Sequence, residues 1–131
     1  MSAPLPPHPT LSPDALQAIY AHARRDYPNE CCGIVHGPKD QAIADQVTVC
    51  ENIQNRLHAE DPGRFTRDAR TAYALDTRVL DKSLRGPTPG KIVYHSHVDV
   101  GSYFSETDQA AALFDDEPAH PVEYVVIGEY L

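Results

Sequence analysis

Long apolar runs are missing from this chain. No stretch of roughly eighteen apolar residues occurs, so the sequence offers no candidate for a membrane-spanning helix. Basic charge is scarce: 11 Lys and Arg stand against 19 Asp and Glu, and the resulting net charge of −8 argues against a nucleic-acid surface. Cysteine is scarce as well. Cys31, Cys32 and Cys50 contain no C-x-x-C pair, and a bond between the neighbours Cys31 and Cys32 would be strained. They read as small buried hydrophobes in a reducing compartment, the alternative being one thiolate nucleophile beside a His. The N-terminus lacks the basic start and apolar stretch of a signal peptide. Residues 1–10 read instead as a Pro-rich arm, and a cytoplasmic location is expected.

What is present fits one core. A chain of 131 residues is of ordinary single-domain size, and residues 11–131 are expected to form one domain. Ser12-Pro13-Asp14 has the chemistry of a helix start: a capping hydroxyl, Pro at the first helical position and an acid in the first turn. Leu16, Ile19, Tyr20 and Ala23 recur at helical spacing through Arg25, and Pro28 ends the pattern. Strands are expected over 32–37 and 42–50, with a polar loop over 51–63. The imperfect apolar stripe of Ala69, Ala72, Tyr73, Leu75, Val79 and Leu80 predicts a helix over 66–84. A strand over 91–96, a loop over 97–104, a helix from Ser105 to about Asp115 and a strand over 122–127 complete the pattern. Strands mixed with helices in one small chain indicate an α/β or α+β sheet with flanking helices.

Chemistry concentrates in His95-Ser96-His97 followed by Ser105-x2-Asp108. If Ile92-Val93-Tyr94 opens a strand, His95 and His97 point to one face, because side chains alternate with period two. Their ring nitrogens can then converge on one metal ion, and Asp108 on the next helix could add an oxygen. Two His and one carboxylate leave a tetrahedral zinc one open position, the pattern of a hydrolytic site rather than a structural one. The bland alternative is a pair of histidines at a strand end, one solvated and one hydrogen-bonded.

Glu30 in Pro28-Asn29-Glu30-Cys31-Cys32-Gly33-Ile34-Val35-His36-Gly37, taken with the His95–Asp108 motif, resembles the JAMM (MPN-plus) metalloprotease family. The resemblance spans almost the whole chain, and residues 55–65 are also similar to the family's segment before its second helix. It implies a single-domain mixed sheet flanked by helices, of cytidine-deaminase-like architecture. It further implies a zinc peptidase or isopeptidase that cuts after the C-terminal Gly-Gly tail of a ubiquitin-like or sulfur-carrier protein, as short prokaryotic members do. Carried over residue by residue, His95, His97 and Asp108 are ligands of one zinc per chain, Glu30 is the general acid–base, and Ser105 helps hold the oxyanion. Without the motif, Glu30 would read as a solvated loop acid. Ser105-Glu106-Thr107-Asp108 also has the pattern of a helix N-cap, so capping remains open for both Ser105 and Asp108.

Val98 and Phe104 stand where the family usually has proline, which frees or reshapes the loop between them. Relatives usually continue beyond the last strand, so a pared-down core or a completing subunit is expected, and a homodimer is compatible with this. Two other readings stand beside the peptidase. One is a non-catalytic module of the same fold that binds ubiquitin-like proteins; it usually lacks ligands that are all present here. The other is a small-molecule zinc hydrolase such as a deaminase, whose H-x-E and P-C-x-x-C pattern is absent.

Overall fold

A computed structural model describes residues 8–98, 113, 114, 117, 118 and 122–129. The Ser12 hydroxyl accepts from the Ala15 amide at 3.1 Å, and α1 (Pro13–Asp26) begins there with Pro13 in its first turn. The cap satisfies an amide that the helix cannot, and proline's missing donor costs nothing at this position. β1 (Thr10–Leu11) lies just before the cap and pairs in parallel with β3 (Ile43–Ala44).

The main sheet has four strands. β2 (Cys32–His36) is antiparallel to β4 (Gln46–Cys50) on one side and to β5 (Gly90–Val98) on the other. β5 then runs parallel to β8 (Glu123–Glu129), giving the order β4-β2-β5-β8. A separate antiparallel pair joins β6 (Leu113–Phe114) to β7 (Glu117–Pro118). The expected α/β class, a mixed sheet flanked by helices, is what the structure shows. Among the described residues, no helix is long and apolar enough to cross a membrane.

Alternation along β2 and β5 divides the core in two. Ala15, Ile19 and Ala23 of α1 pack with Cys31, Val35, Ile92, Tyr94 and Ile127 on one face. Ile34 and Val93 face the opposite way and pack with Leu80. Leu80 belongs to α3 (Thr77–Ser83), so the sheet lies between α1 and α3. Lys91 pins the β2–β3 connection by donating to the carbonyls of Pro38, Gln41 and Ile43.

Four expectations need correction. The polar stretch 51–63 contains a short helix, α2 (Gln54–Glu60), whose opening turn is organised by Asn52: its Oδ1 accepts from the Gln54 amide at 3.0 Å. The helix expected over 66–84 is only α3. Asp76 caps it by accepting from the Arg78 amide at 2.9 Å. Upstream, Ala69, Ala72 and Ala74 give backbone groups to Asn55 and Asn52 instead of to a helical ladder. Side-chain amides offer the backbone an alternative to helix, and here the alternative wins. The helix expected to reach Asp115 also fails at its end, because Leu113 and Phe114 pair with Pro118 and Glu117; residues 99–112 lie outside the described ones. The strand expected over 42–50 is interrupted at Asp45, whose amide donates to the His36 carbonyl.

Gly33 illustrates how tightly the α1 face is packed. It lies opposite Tyr94 in the β2–β5 ladder, and a Cβ there would collide with the Tyr94 ring and hydroxyl. That ring is fully buried, and its hydroxyl shares a 2.7 Å hydrogen bond with His22 Nδ1. His22 Nε2 in turn meets Asp26 Oδ2 at 3.0 Å. Burial lowers the His22 pKa, with Asp26 opposing that shift, so the neutral ring donates to Asp26 and accepts from Tyr94. Gly33→Ala is expected to destabilise the protein by about 1–3 kcal/mol through overpacking. Chemical unfolding with and without the substitution measures this; equal midpoints would mean that Tyr94 moves aside freely.

Candidate metal centre

Cys32 pairs with His95 in the antiparallel ladder. Extending that register two residues past the start of β2 sets Glu30 opposite His97. The extension is real at its first step, because Ser96 donates its amide to the Cys31 carbonyl at 3.0 Å and its hydroxyl accepts from the Cys31 amide at 2.8 Å. Directly opposed residues in a ladder share a face, so Glu30, His95 and His97 gather on the α3 side of the sheet. The side-chain nitrogens and carboxylate oxygen of these three lie within 4.8 Å of one another. His95 is fully buried, His97 is 4 % exposed and Glu30 is 5 % exposed.

Burying a carboxylate beside two imidazoles is costly unless charge and lone pairs find partners. Two nitrogen donors and one oxygen donor are the set that zinc accepts. The cluster therefore fits a divalent metal by its chemistry. Ser105 and Asp108 lie outside the described residues, as does Phe104. Of the five expected site residues, the structure brings three together.

Remote contacts fix Glu30. Its amide donates to the Ala69 carbonyl at 2.7 Å, and its carbonyl accepts from Asn52 Nδ2 at 2.8 Å. A cleft of about 430 Å³ runs beside it, lined among others by Arg25, Asp26, Asn29, Asn52 and Asn55. Tyr73, a residue of the stripe expected to be helical, adds a wall. Its ring stacks on His95 with centroids 4.2 Å apart and planes 17° from parallel. His97 is tilted against His95 at 5.1 Å between centroids. On the other side, Gly128 of β8 is the register partner of His97, so no side-chain bulk stands at that place in the ladder. Tyr73 was visible in the sequence as one residue of an apolar stripe, but its contact with His95 was not.

Cys32 and Cys50 are held in the thiol form. Cys31 and Cys32 are fully buried, and burial pushes the Cys32 thiol far up, with Cys50 and Cys31 adding to the shift. Burial also raises the half-buried Cys50, partly offset by the Ile34 amide. A protonated thiol is a poor nucleophile, which favours the packing role over the thiolate alternative.

Comparison with known proteins places the chain in a family. Residues 12–129 match the model of the family described as prokaryotic homologs of the JAB domain. The chain belongs to that family. It is also 30% identical over 122 residues to proteins named CysO-cysteine peptidase from Mycobacterium bovis and Mycobacterium tuberculosis; the match covers 88% of this chain and 69% of each relative. The solution structure of protein DSY2949 from Desulfitobacterium hafniense superposes with a TM-score of 0.57 at 18% identity, covering 92% of this chain and 93% of that one. That likeness speaks for the fold alone.

Proposed function

We propose that this JAB-family chain is a zinc-dependent peptidase that hydrolyses the bond after the C-terminal Gly-Gly tail of a sulfur-carrier or ubiquitin-like protein. The observation that carries the reading is the buried grouping of Glu30, His95 and His97 on one sheet face. Membership of the family and the similarity to proteins named CysO-cysteine peptidase support it.

His95, His97 and Asp108 are the ligands in this reading. A zinc ion held by them supplies Lewis-acid polarisation and makes water nucleophilic near neutral pH. Glu30 takes the proton from the attacking water and delivers it to the leaving amine, a task for a carboxylate within reach of both. Ser105 donates a hydrogen bond to the oxygen that becomes negative in the transition state. Gly128 opposite His97 leaves room for a slim main chain beside the site, as an unbranched tail requires. Such a tail can pair with an exposed sheet edge through its backbone.

Mass spectrometry of carrier adducts tests the proposal. An intact Gly-Gly adduct is expected to be cleaved with tolerance in the leaving amine, whereas a carrier ending in Val is expected to resist. Efficient cleavage of the Val form would reject the slim channel. Binding of the carrier without cleavage would make the chain a recognition module instead.

A further inference from the structure

Asn52 makes the full set of four hydrogen bonds that a side-chain amide allows. Its Nδ2 donates to the Glu30 carbonyl at 2.8 Å and to the Ala72 carbonyl at 3.1 Å. Its Oδ1 accepts from the amides of Gln54 and Ala74, both at 3.0 Å. Ala72 and Ala74 flank Tyr73, the ring stacked on His95. One half-buried side chain thus holds the backbone of the carboxylate residue and both neighbours of the aromatic wall. The Ile53 amide reinforces the clip by donating to the Ala74 carbonyl at 2.9 Å.

We propose that Asn52 is a positioning residue that sets Glu30 and Tyr73 relative to His95. The inference rests on the peptidase reading for its kinetic consequence, but its geometric part stands alone. Asn52 touches no reacting atom. It acts by removing freedom from two chain segments that have no ladder to hold them: residues 27–30, before β2 begins, and 69–76, before α3 begins. A displacement of about 1 Å at a catalytic group is enough to cost as much as a hundredfold in rate.

Asn52→Asp is the informative variant. It keeps an acceptor for Gln54 and Ala74 but loses both donors and sets a carboxylate against the carbonyls of Glu30 and Ala72. Gln54→Ala is the control, because it removes a part-buried 2.8 Å hydrogen bond to the Arg67 carbonyl in the same region and leaves the four Asn52 bonds in place. NMR contacts between the Tyr73 and His95 rings, together with the ring-current shift on His95, report the geometry in the protein as purified. Both signals are expected to be lost in Asn52→Asp and kept in Gln54→Ala. On a Gly-Gly adduct, kcat is expected to fall by about tenfold or more in Asn52→Asp with KM within about twofold, while Gln54→Ala stays within about twofold on both. Persistence of the ring contact in Asn52→Asp, or a kcat close to that of the unaltered protein, would overturn the inference. If the unaltered protein cleaves no adduct, the peptidase reading fails and the ring contact alone decides the role of Asn52.

Discussion

Glu30→Gln is expected to leave zinc bound and the fold intact while turnover falls by about a hundredfold or more, the usual range for losing a general acid–base. The substitution keeps side-chain volume and a carbonyl oxygen, so the packing around a residue only 5 % exposed survives. The backbone grip also survives, because Ala69 and Asn52 hold Glu30 through its amide and carbonyl rather than its side chain. What disappears is the ability to take a proton. Steady-state rates on a Gly-Gly adduct, with zinc measured on the same sample, separate two roles for this carboxylate. Retained metal with lost turnover is the result for a proton-transfer group. Metal lost together with turnover would make Glu30 a ligand, which its place in the 4.8 Å cluster also allows. Normal turnover would move the proton transfer to another group.

His97→Ala should take the zinc content from about one per chain to near zero, since three protein ligands are the minimum of a catalytic zinc site. His97 is 4 % exposed and faces Glu30 across the extended register, so its loss removes a buried nitrogen donor from the cluster. Binding to the folded state alone adds stability by mass action, so a chelator should lower the melting temperature of the unaltered protein. The same chelator should leave His97→Ala unmoved. Elemental analysis and a melting curve with and without chelator measure both effects. Zinc held as tightly by His97→Ala as by the unaltered protein would remove His97 from the site.

These outcomes bear on how a small sheet builds a reactive centre. The ladder between β2 and β5 supplies the common face, while groups beyond the ladder supply the carboxylate and the aromatic wall. Ser96 shows how the two are joined. It lies between the histidines, is fully buried, and points to the opposite face, where its hydroxyl accepts the Cys31 amide and carries the pairing one residue ahead of the start of β2. Substituting Ser96 would therefore disturb Glu30 from the far side of the sheet.

Sequence alone determined the features that depend on neighbours a few positions apart. The Ser12 cap and the α1 stripe need only local hydrogen bonding and a period of 3.6; the cap forms, and Ile19 and Ala23 of the stripe are buried while Tyr20 is exposed. His95 and His97 share a face because a strand has period two, whatever lies around it. The family motif added Glu30, which composition and periodicity would have left as a loop acid. Tertiary structure alone decided the rest. The apolar spacing from Ala69 to Leu80 satisfies a helix on paper, yet residues 67–75 are drawn out of helix by amides 14 to 22 positions away, Asn55 and Asn52. Tyr73 meets His95 only because of that rearrangement. Glu30 meets His97 only because β2 and β5 adopt one register among several that their apolar patterns permit. Local periodicity is written in consecutive side chains. Contacts made by polar side chains across long separations depend on where the chain returns, and that is settled only when the sheet and its helices pack.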